Sequence, residues 1–186
     1  MDIAKLKAEL ETLHSASFGW ALQCCRRDRA EAEEVLQTVY LKVLEGKACF
    51  RGEASLKTWL FAVIRKTAIG EHRKNILRKL RWSDSSEATK TSVSPLEQPS
   101  EAFEKSETQA LFQNALKSLP RRQREALHLV FYQDLSLSEA AEVMGISIGS
   151  TRQHYDRGKK RLRESLGQTE SAYGIDWRRK ENPGAV

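Results

Sequence analysis

The stretch LSLSEAAEVMGISIGSTRQHYDRGKKRL, from Leu135 to Leu162, constrains the fold more than any other part of the chain. Ser136 and Glu139 have the spacing of a capping box, in which the serine hydroxyl accepts the amide three residues on and the glutamate reaches back. Gly145 suits the left-handed residue that ends a helix, and Ser147 can cap the next one. The stretch therefore predicts a short helix, a sharp turn and a second helix.

The two predicted helices have an apolar side and a polar side. We expect these residues to face inward: Leu137, Ala140, Ala141 and Met144 on the first helix, and Ile148, Thr151, Tyr155 and Leu162 on the second. The outward side of the second helix carries Ser150, Arg152, Gln153, Asp156, Arg157 and Lys160. Arginine can pair with guanine, glutamine with adenine, and aspartate with the cytosine amino group. The pattern favours a DNA-binding helix-turn-helix, with a solvated face of an ordinary bundle as the alternative.

A further helix is predicted directly upstream, in LPRRQREALHLVFYQDL. Pro120 is favoured in a first helical turn. We expect Leu127, Val130 and Phe131 to form its buried side. A cluster of three cations near its start could lie beside a DNA phosphate or could simply increase solubility: Arg121, Arg122 and Arg124.

Helical periodicity dominates the rest of the chain, and no run alternates like a half-buried strand. The stretch at 83–105 is rich in Ser and Thr and has almost nothing to bury, which is typical of a linker. Its net charge is −3, whereas 1–82 carries +6 and 106–167 carries +3. We predict an all-α fold with two small basic helical domains, at 8–82 and 106–167, a flexible acidic linker at 83–105, and a tail of unknown role at 168–186.

The N-terminal half contains two informative segments. In AEAEEVLQTVYLKVLEG, we expect the core stripe to be Ala32, Val35, Leu36, Val39 and Val43. A leucine beside acids and an amide on another face indicates either a protein partner or a charged solvent face: Glu31, Glu34, Gln37 and Leu41. The next segment has seven basic residues between Arg65 and Arg81, with aromatic residues nearby. Cations beside aromatic rings suit single-stranded nucleic acid, although each ring is also a candidate for the core.

Several functional classes find no support in the sequence. Cys24, Cys25 and Cys49 lack zinc-site spacing, so we expect reduced thiols. The sequence has no phosphate-cradling glycine loop, no metal-ligand set and no catalytic triad, so we expect neither enzymatic activity nor a cofactor. It also has no apolar stretch of about 20 residues and no secretory signal pattern. We therefore expect a cytoplasmic protein.

Two of the segments described above resemble a known family. The segment AEEVLQTVYLKVLEG followed by FRGEASLKTWLFAVIRKTA resembles region 2 of the extracytoplasmic-function sigma factors of the sigma-70 family. The segment from LKSLPRRQREALHL to GKKRLRESL resembles their region 4. The resemblance implies an RNA polymerase sigma factor that binds the beta-prime and beta subunits of the core enzyme and promoter DNA. It also implies that an anti-sigma factor could hold the protein.

The resemblance further implies roles for individual residues. Glu31, Glu34, Gln37 and Leu41 would contact the beta-prime subunit. Melting of the minus-ten element and capture of a flipped base would involve Phe50, Arg51, Gly52 and Glu53, with Lys66 and the neighbouring cations Arg65, Arg73 and Lys74. The minus-thirty-five element would be read by Ser150, Arg152, Gln153, Asp156, Arg157 and Lys160, with phosphate contacts from Arg121, Arg122 and Arg124. Lys66, His154 and Asp156 depart from the usual family pattern, which indicates an unusual promoter sequence.

Two other functions are compatible with parts of the sequence. A stand-alone helix-turn-helix regulator, with an N-terminal domain that senses a ligand or dimerises, would bind duplex DNA tightly without polymerase. A nucleic-acid-processing enzyme would need clustered carboxylates or a metal set. The order of the two domains around an acidic linker favours the sigma factor.

Overall fold

The structure is a computed structural model that describes residues 3–83 and 114–173. Within these ranges the regular elements are all helical, which confirms the predicted all-α fold. The first half contains α1 (Ile3–Thr12), α2 (His14–Cys24), α3 (Arg29–Leu44) and α4 (Leu56–Ser83). The second contains α5 (114–118), α6 (Arg121–Leu127), a π-helical turn (His128–Tyr132), α7 (Leu137–Met144) and α8 (Ile148–Tyr173). Nearly all of the predicted linker lies outside the described residues, and α8 continues into the predicted tail.

In the first half, α3 packs its predicted stripe inward. Its five stripe residues are all buried: Ala32, Val35, Leu36, Val39 and Val43. The helix begins after Asp28, whose carboxylate accepts the Glu31 amide at 3.0 Å, as a capping side chain does. The fully buried Trp20 on α2 donates its indole N–H to the Phe61 carbonyl on α4 at 3.0 Å. This bond satisfies the ring's polar atom and ties α2 to α4.

The long helix α4 changes character along its length. Ser55 caps it by accepting the Thr58 amide at 3.1 Å. Its first turns supply Leu60, Phe61 and Ile64 to the core, each fully buried. Its last turns are exposed and basic. The helix is therefore anchored at one end and presents its other end to solvent.

In the second half, α7 and α8 form the predicted helix-turn-helix. Ser136 and Glu139 make both bonds of the capping box. The Ser136 N–H and hydroxyl both donate to the Glu139 carboxylate, and these two bonds lower the pKa of Glu139. Gly145 is left-handed with φ 63°, and the Ser147 hydroxyl accepts the Ser150 amide at 3.1 Å. All of these features follow the pattern read from the sequence.

Two residues expected in the core are exposed instead. Phe131 is 68% exposed because it lies in the π-helical turn, whose wider winding rotates the residues after Leu127 away from the α-helical register. Ile148 is 52% exposed because it is the first residue of α8 and lies beyond the cover of α7. Burial predicted from α-helical spacing is therefore wrong at these two positions, one in a π-helical turn and one at a helix terminus.

The two halves pack against each other and share one apolar core. Helices α2 and α4 meet the π-helical turn, α6 and α7, and a continuous cluster joins Trp20 and Phe61 to Ala126, Leu129 and Ala140. At one edge, Lys57 donates to the Gln133 carbonyl at 2.6 Å. This arrangement, called the closed arrangement below, brings residues far apart in the chain into direct contact.

Candidate polymerase and nucleic-acid interface

The outer face of α3 carries the predicted polymerase-binding residues. Glu34 and Gln37 are exposed, Glu31 is half-buried, and Leu41 is 58% exposed. Leu44, one turn beyond, is also 41% exposed. An apolar patch rimmed by acids and an amide is suited to a protein partner with basic residues.

The loop between α3 and α4 borders a cavity of about 840 Å³. Phe50, Arg51 and Glu53 line it together with Trp59, and the Phe50 and Trp59 rings lie 5.4 Å apart at an angle of 57°. Gly52 has φ 78°, a conformation that favours glycine at this turn. The cavity therefore has an aromatic wall and an adjacent cation, features that are found where unstacked bases bind.

The predicted basic contacts on α4 do not all lie on one accessible surface. Lys66 and Arg73 are exposed, and Lys74 pairs with Glu71 at 2.8 Å. Arg65 is only 16% exposed because its guanidinium contacts Glu125 of the second half at 3.3 Å. In the closed arrangement Arg65 therefore faces a carboxylate and not solvent.

Glu125 is a site residue that the sequence analysis missed. Its side chain is 1% exposed, and its two oxygens accept from Arg65 and Arg121, the latter at 2.8 Å. The only local signal is an acid beside the buried Ala126 and Leu127, which by itself reads as a surface position. The pairing residue Arg65 lies 60 positions earlier, so local periodicity gives no indication of it.

On the recognition helix α8, the predicted readout residues project outward. Five of them are exposed: Arg152, Gln153, Asp156, Arg157 and Lys160. Ser150 is half-buried and receives a hydrogen bond from Ser147 at 2.9 Å. Lys160 lies 4.0 Å from Glu164, and the Asp156 carboxylate stays exposed as an acceptor for a base amino group.

Helix α6 supports α8 at close range. A Cβ placed on Gly158 would lie 3.0 Å from the Leu127 side chain and 3.2 Å from the Gln123 carbonyl. The helix also carries the three predicted phosphate contacts. Arg122 is exposed, whereas Arg121 and Arg124 line a cavity between the two halves.

Comparisons with known proteins identify the family of the chain. Residues 10–76 match the sigma-70 region 2 family, and residues 115–164 match sigma-70 region 4. The ECF RNA polymerase sigma factor SigX of Bacillus subtilis is 30% identical over 146 residues, covering 75% of this chain and 73% of the relative. The chain belongs to the ECF sigma factors. The region 2 match in the N-terminal half decides between this function and the stand-alone regulator: the protein is an RNA polymerase sigma factor.

Two further relatives agree with this assignment. The ECF sigma factor EcfG of Rhodopseudomonas palustris is 29% identical over 131 residues, covering 70% of this chain and 68% of the relative. The sigma factor RpoE of Bartonella quintana, solved with the anti-sigma factor NepR, matches with a TM-score of 0.65 and 26% identity. That match covers 88% of this chain and 97% of the RpoE chain.

Two further observations concern the described residues. Within 3–83 and 114–173, no group of His, Cys, Asp and Glu is arranged to hold a metal ion. No helix in the same ranges has both the length and the apolar composition to cross a membrane.

Proposed function

We propose that this sigma factor directs promoter-specific initiation through three surfaces, which lie on α3, on the α3–α4 loop and on α8. The face of α3 with Glu34 and Leu41 binds the beta-prime subunit of core polymerase, and further contacts involve the beta subunit. The α3–α4 loop takes a flipped base of the minus-ten element, and α8 reads the minus-thirty-five element as duplex. The protein acts in the cytoplasm and has no catalytic activity or cofactor of its own.

The observation that carries the proposal is the outer face of α8. Arg152, Gln153, Asp156 and Arg157 are all exposed on the first turns after the glycine turn, where a recognition helix meets base edges. Each of these side chains has a hydrogen-bonding pattern that distinguishes bases in the major groove.

The cavity beside the α3–α4 loop supports the second role. Unstacking a base costs a few kcal/mol, and stacking on Phe50 or Trp59 with a nearby cation offsets such a cost. Glu142 of α7 also lines this cavity, so in the closed arrangement the second half borders the proposed base site and adds a negative charge to it. We infer that the base enters when the second half has moved away from the first.

We infer that polymerase and DNA bind the separated form of the two halves. Separation releases Arg65 from Glu125 and removes Glu142 from the loop cavity. A protein partner that stabilises the closed arrangement would keep the sigma factor inactive. The relative RpoE was solved with an anti-sigma factor, and a partner of that type is proposed for this chain.

Run-off transcription by core polymerase, with and without this protein on its own promoter, tests the function. We expect promoter-specific transcripts only when the protein is present. An absence of both stimulation and core binding contradicts the proposal.

Two variants test the surfaces separately. Glu34→Arg should weaken core binding with an unchanged fold, while Glu11→Arg, at an exposed position on α1, serves as the matched control. Arg157→Ala should weaken minus-thirty-five recognition by about 1–3 kcal/mol at one base position. An equal loss on every promoter variant would assign Arg157 to a phosphate.

A further inference from the structure

A second cavity, of about 310 Å³, lies between the two halves. One wall is the end of α2 and the turn after it, and the other comes from α5 and α6. The charged residues that line it are all basic: Arg26, Arg27, Lys117, Arg121 and Arg124. Because both walls are needed, the cavity exists only in the closed arrangement.

The cations in this cavity repel one another. Burial lowers the pKa of Arg124, and the charges of Arg27, Arg121 and Arg26 lower it further, although Glu125 acts in the opposite direction. Glu125 neutralises part of the charge through its contact with Arg121. Closing the two halves therefore concentrates positive charge, and a bound anion would offset the repulsion.

Two local features also fit a ligand. The side-chain nitrogen of Gln23, which lines the cavity, is a buried donor with no hydrogen-bond partner, and such donors normally have one. Arg26 and Arg27 have φ of 55° and 68°, at the end of a helix where glycine is usual. Arginine in this conformation is strained, and retained strain is common at binding sites.

We propose that this cavity binds a small anion that carries a diphosphate group, either inorganic diphosphate or the diphosphate of a nucleotide, and that the anion holds the two halves together. Guanidinium groups match phosphate oxygens in geometry and charge. The volume is at the lower end for small-molecule sites, so the cavity suits a compact anion better than a continuous nucleic-acid strand.

Calorimetry on the full chain tests binding at constant ionic strength. The probes are inorganic diphosphate, inorganic monophosphate, a nucleoside diphosphate and a short single-stranded DNA. We expect both diphosphate probes to bind more tightly than monophosphate, and the two diphosphates distinguish a free anion from a nucleotide. Binding of the oligonucleotide alone, or no diphosphate binding, overturns the proposal.

The decisive variant is Arg26→Gly, because it removes a cation and installs the residue that the turn prefers. A ligand site predicts diphosphate binding weakened about tenfold or more and a melting temperature that is unchanged or higher. Lys7→Gln, at an exposed position on α1, removes the same charge elsewhere and should leave binding unchanged. Equal affinity in the native chain and in Arg26→Gly overturns the assignment.

Thiol labelling tests whether the anion holds the halves together. Cys24 lines the cavity and is buried, whereas Cys49 is exposed. In a Cys49→Ser chain, diphosphate should slow the labelling of Cys24, which fragment-ion masses distinguish from the adjacent Cys25. It should not slow the labelling when Arg26→Gly is added. Binding without any slowing overturns the bridging role.

Only the consequence for transcription rests on the proposed function. In run-off assays, diphosphate should reduce initiation by the native sigma factor more than by Arg26→Gly. Failure of the proposed function is seen without diphosphate, as absent transcription, and it leaves the calorimetric result unchanged. The two failures are therefore distinguishable.

Discussion

His128 should make the contact between the two halves sensitive to acid. Its ring stacks on Trp20 at 5.5 Å, and Gln133 lies 3.3 Å from its Nε2 atom. Burial, and then the charge of Arg27, lowers the pKa of His128 from 6.5 to about 4. Trp20 belongs to the first half and His128 to the second, so both separation and unfolding expose the imidazole and restore its ordinary pKa.

The expected loss of stability follows from the two pKa values. The closed, folded state favours neutral His128, so this contribution is complete above pH 6.5 and is lost as the pH falls towards about 4. The difference between the two pKa values corresponds to at most about 3 kcal/mol of unfolding free energy, and about 2 kcal/mol of it is lost by pH 5. His128 binds a proton more tightly in the open or unfolded state, so the stability of the closed, folded state rises with pH across this window.

Urea unfolding from pH 7.5 to pH 5, followed by tryptophan fluorescence and circular dichroism, measures the effect. The reference is His128→Phe, which keeps a ring beside Trp20 but cannot titrate, so that changes from carboxylates such as Glu139 cancel in the comparison. The native chain should lose about 2 kcal/mol relative to the variant by pH 5. Parallel profiles for the two proteins would refute the reasoning.

Two further predictions concern packing between and within the halves. In a double-mutant cycle followed by urea unfolding, Arg65→Met and Glu125→Gln should show a favourable coupling of about 1–3 kcal/mol, because both side chains are largely buried. Additive effects of the two substitutions would contradict a direct pairing. Gly158→Ala should destabilise the fold by about 1–3 kcal/mol, because its Cβ would press on Leu127. Gly167→Ala on the same helix has open space and should be neutral or stabilising, so equal melting temperatures for these two variants would contradict the packing argument.

The helix-turn-helix shows how much short-range signals can predict. The capping box at Ser136, the left-handed Gly145 and the cap at Ser147 each depend on residues three or four positions apart, and each occurs as predicted. The stripe of α3 is likewise buried in full. Phe131 is exposed and not buried as predicted, because it lies in a π-helical turn that the α-helical spacing of apolar residues does not indicate.

The cations show what the sequence does not determine. Arg65, Arg121 and Arg124 were all predicted to contact DNA, because excess positive charge indicates an anionic partner. In the closed arrangement Arg65 and Arg121 contact Glu125, and Arg124 lines the cavity between the halves. Positive charge by itself does not distinguish a nucleic-acid phosphate from a carboxylate of the same chain.

The sequence alone determined the α-helices, their caps, most of the faces they bury and the family to which the chain belongs, since each depends on contacts within a few positions or on a continuous match. Only the tertiary structure decided that Trp20 meets His128 and that Arg65 meets Glu125. These contacts join residues far apart in the chain, and their energy depends on burial from both sides, which no local window of sequence contains.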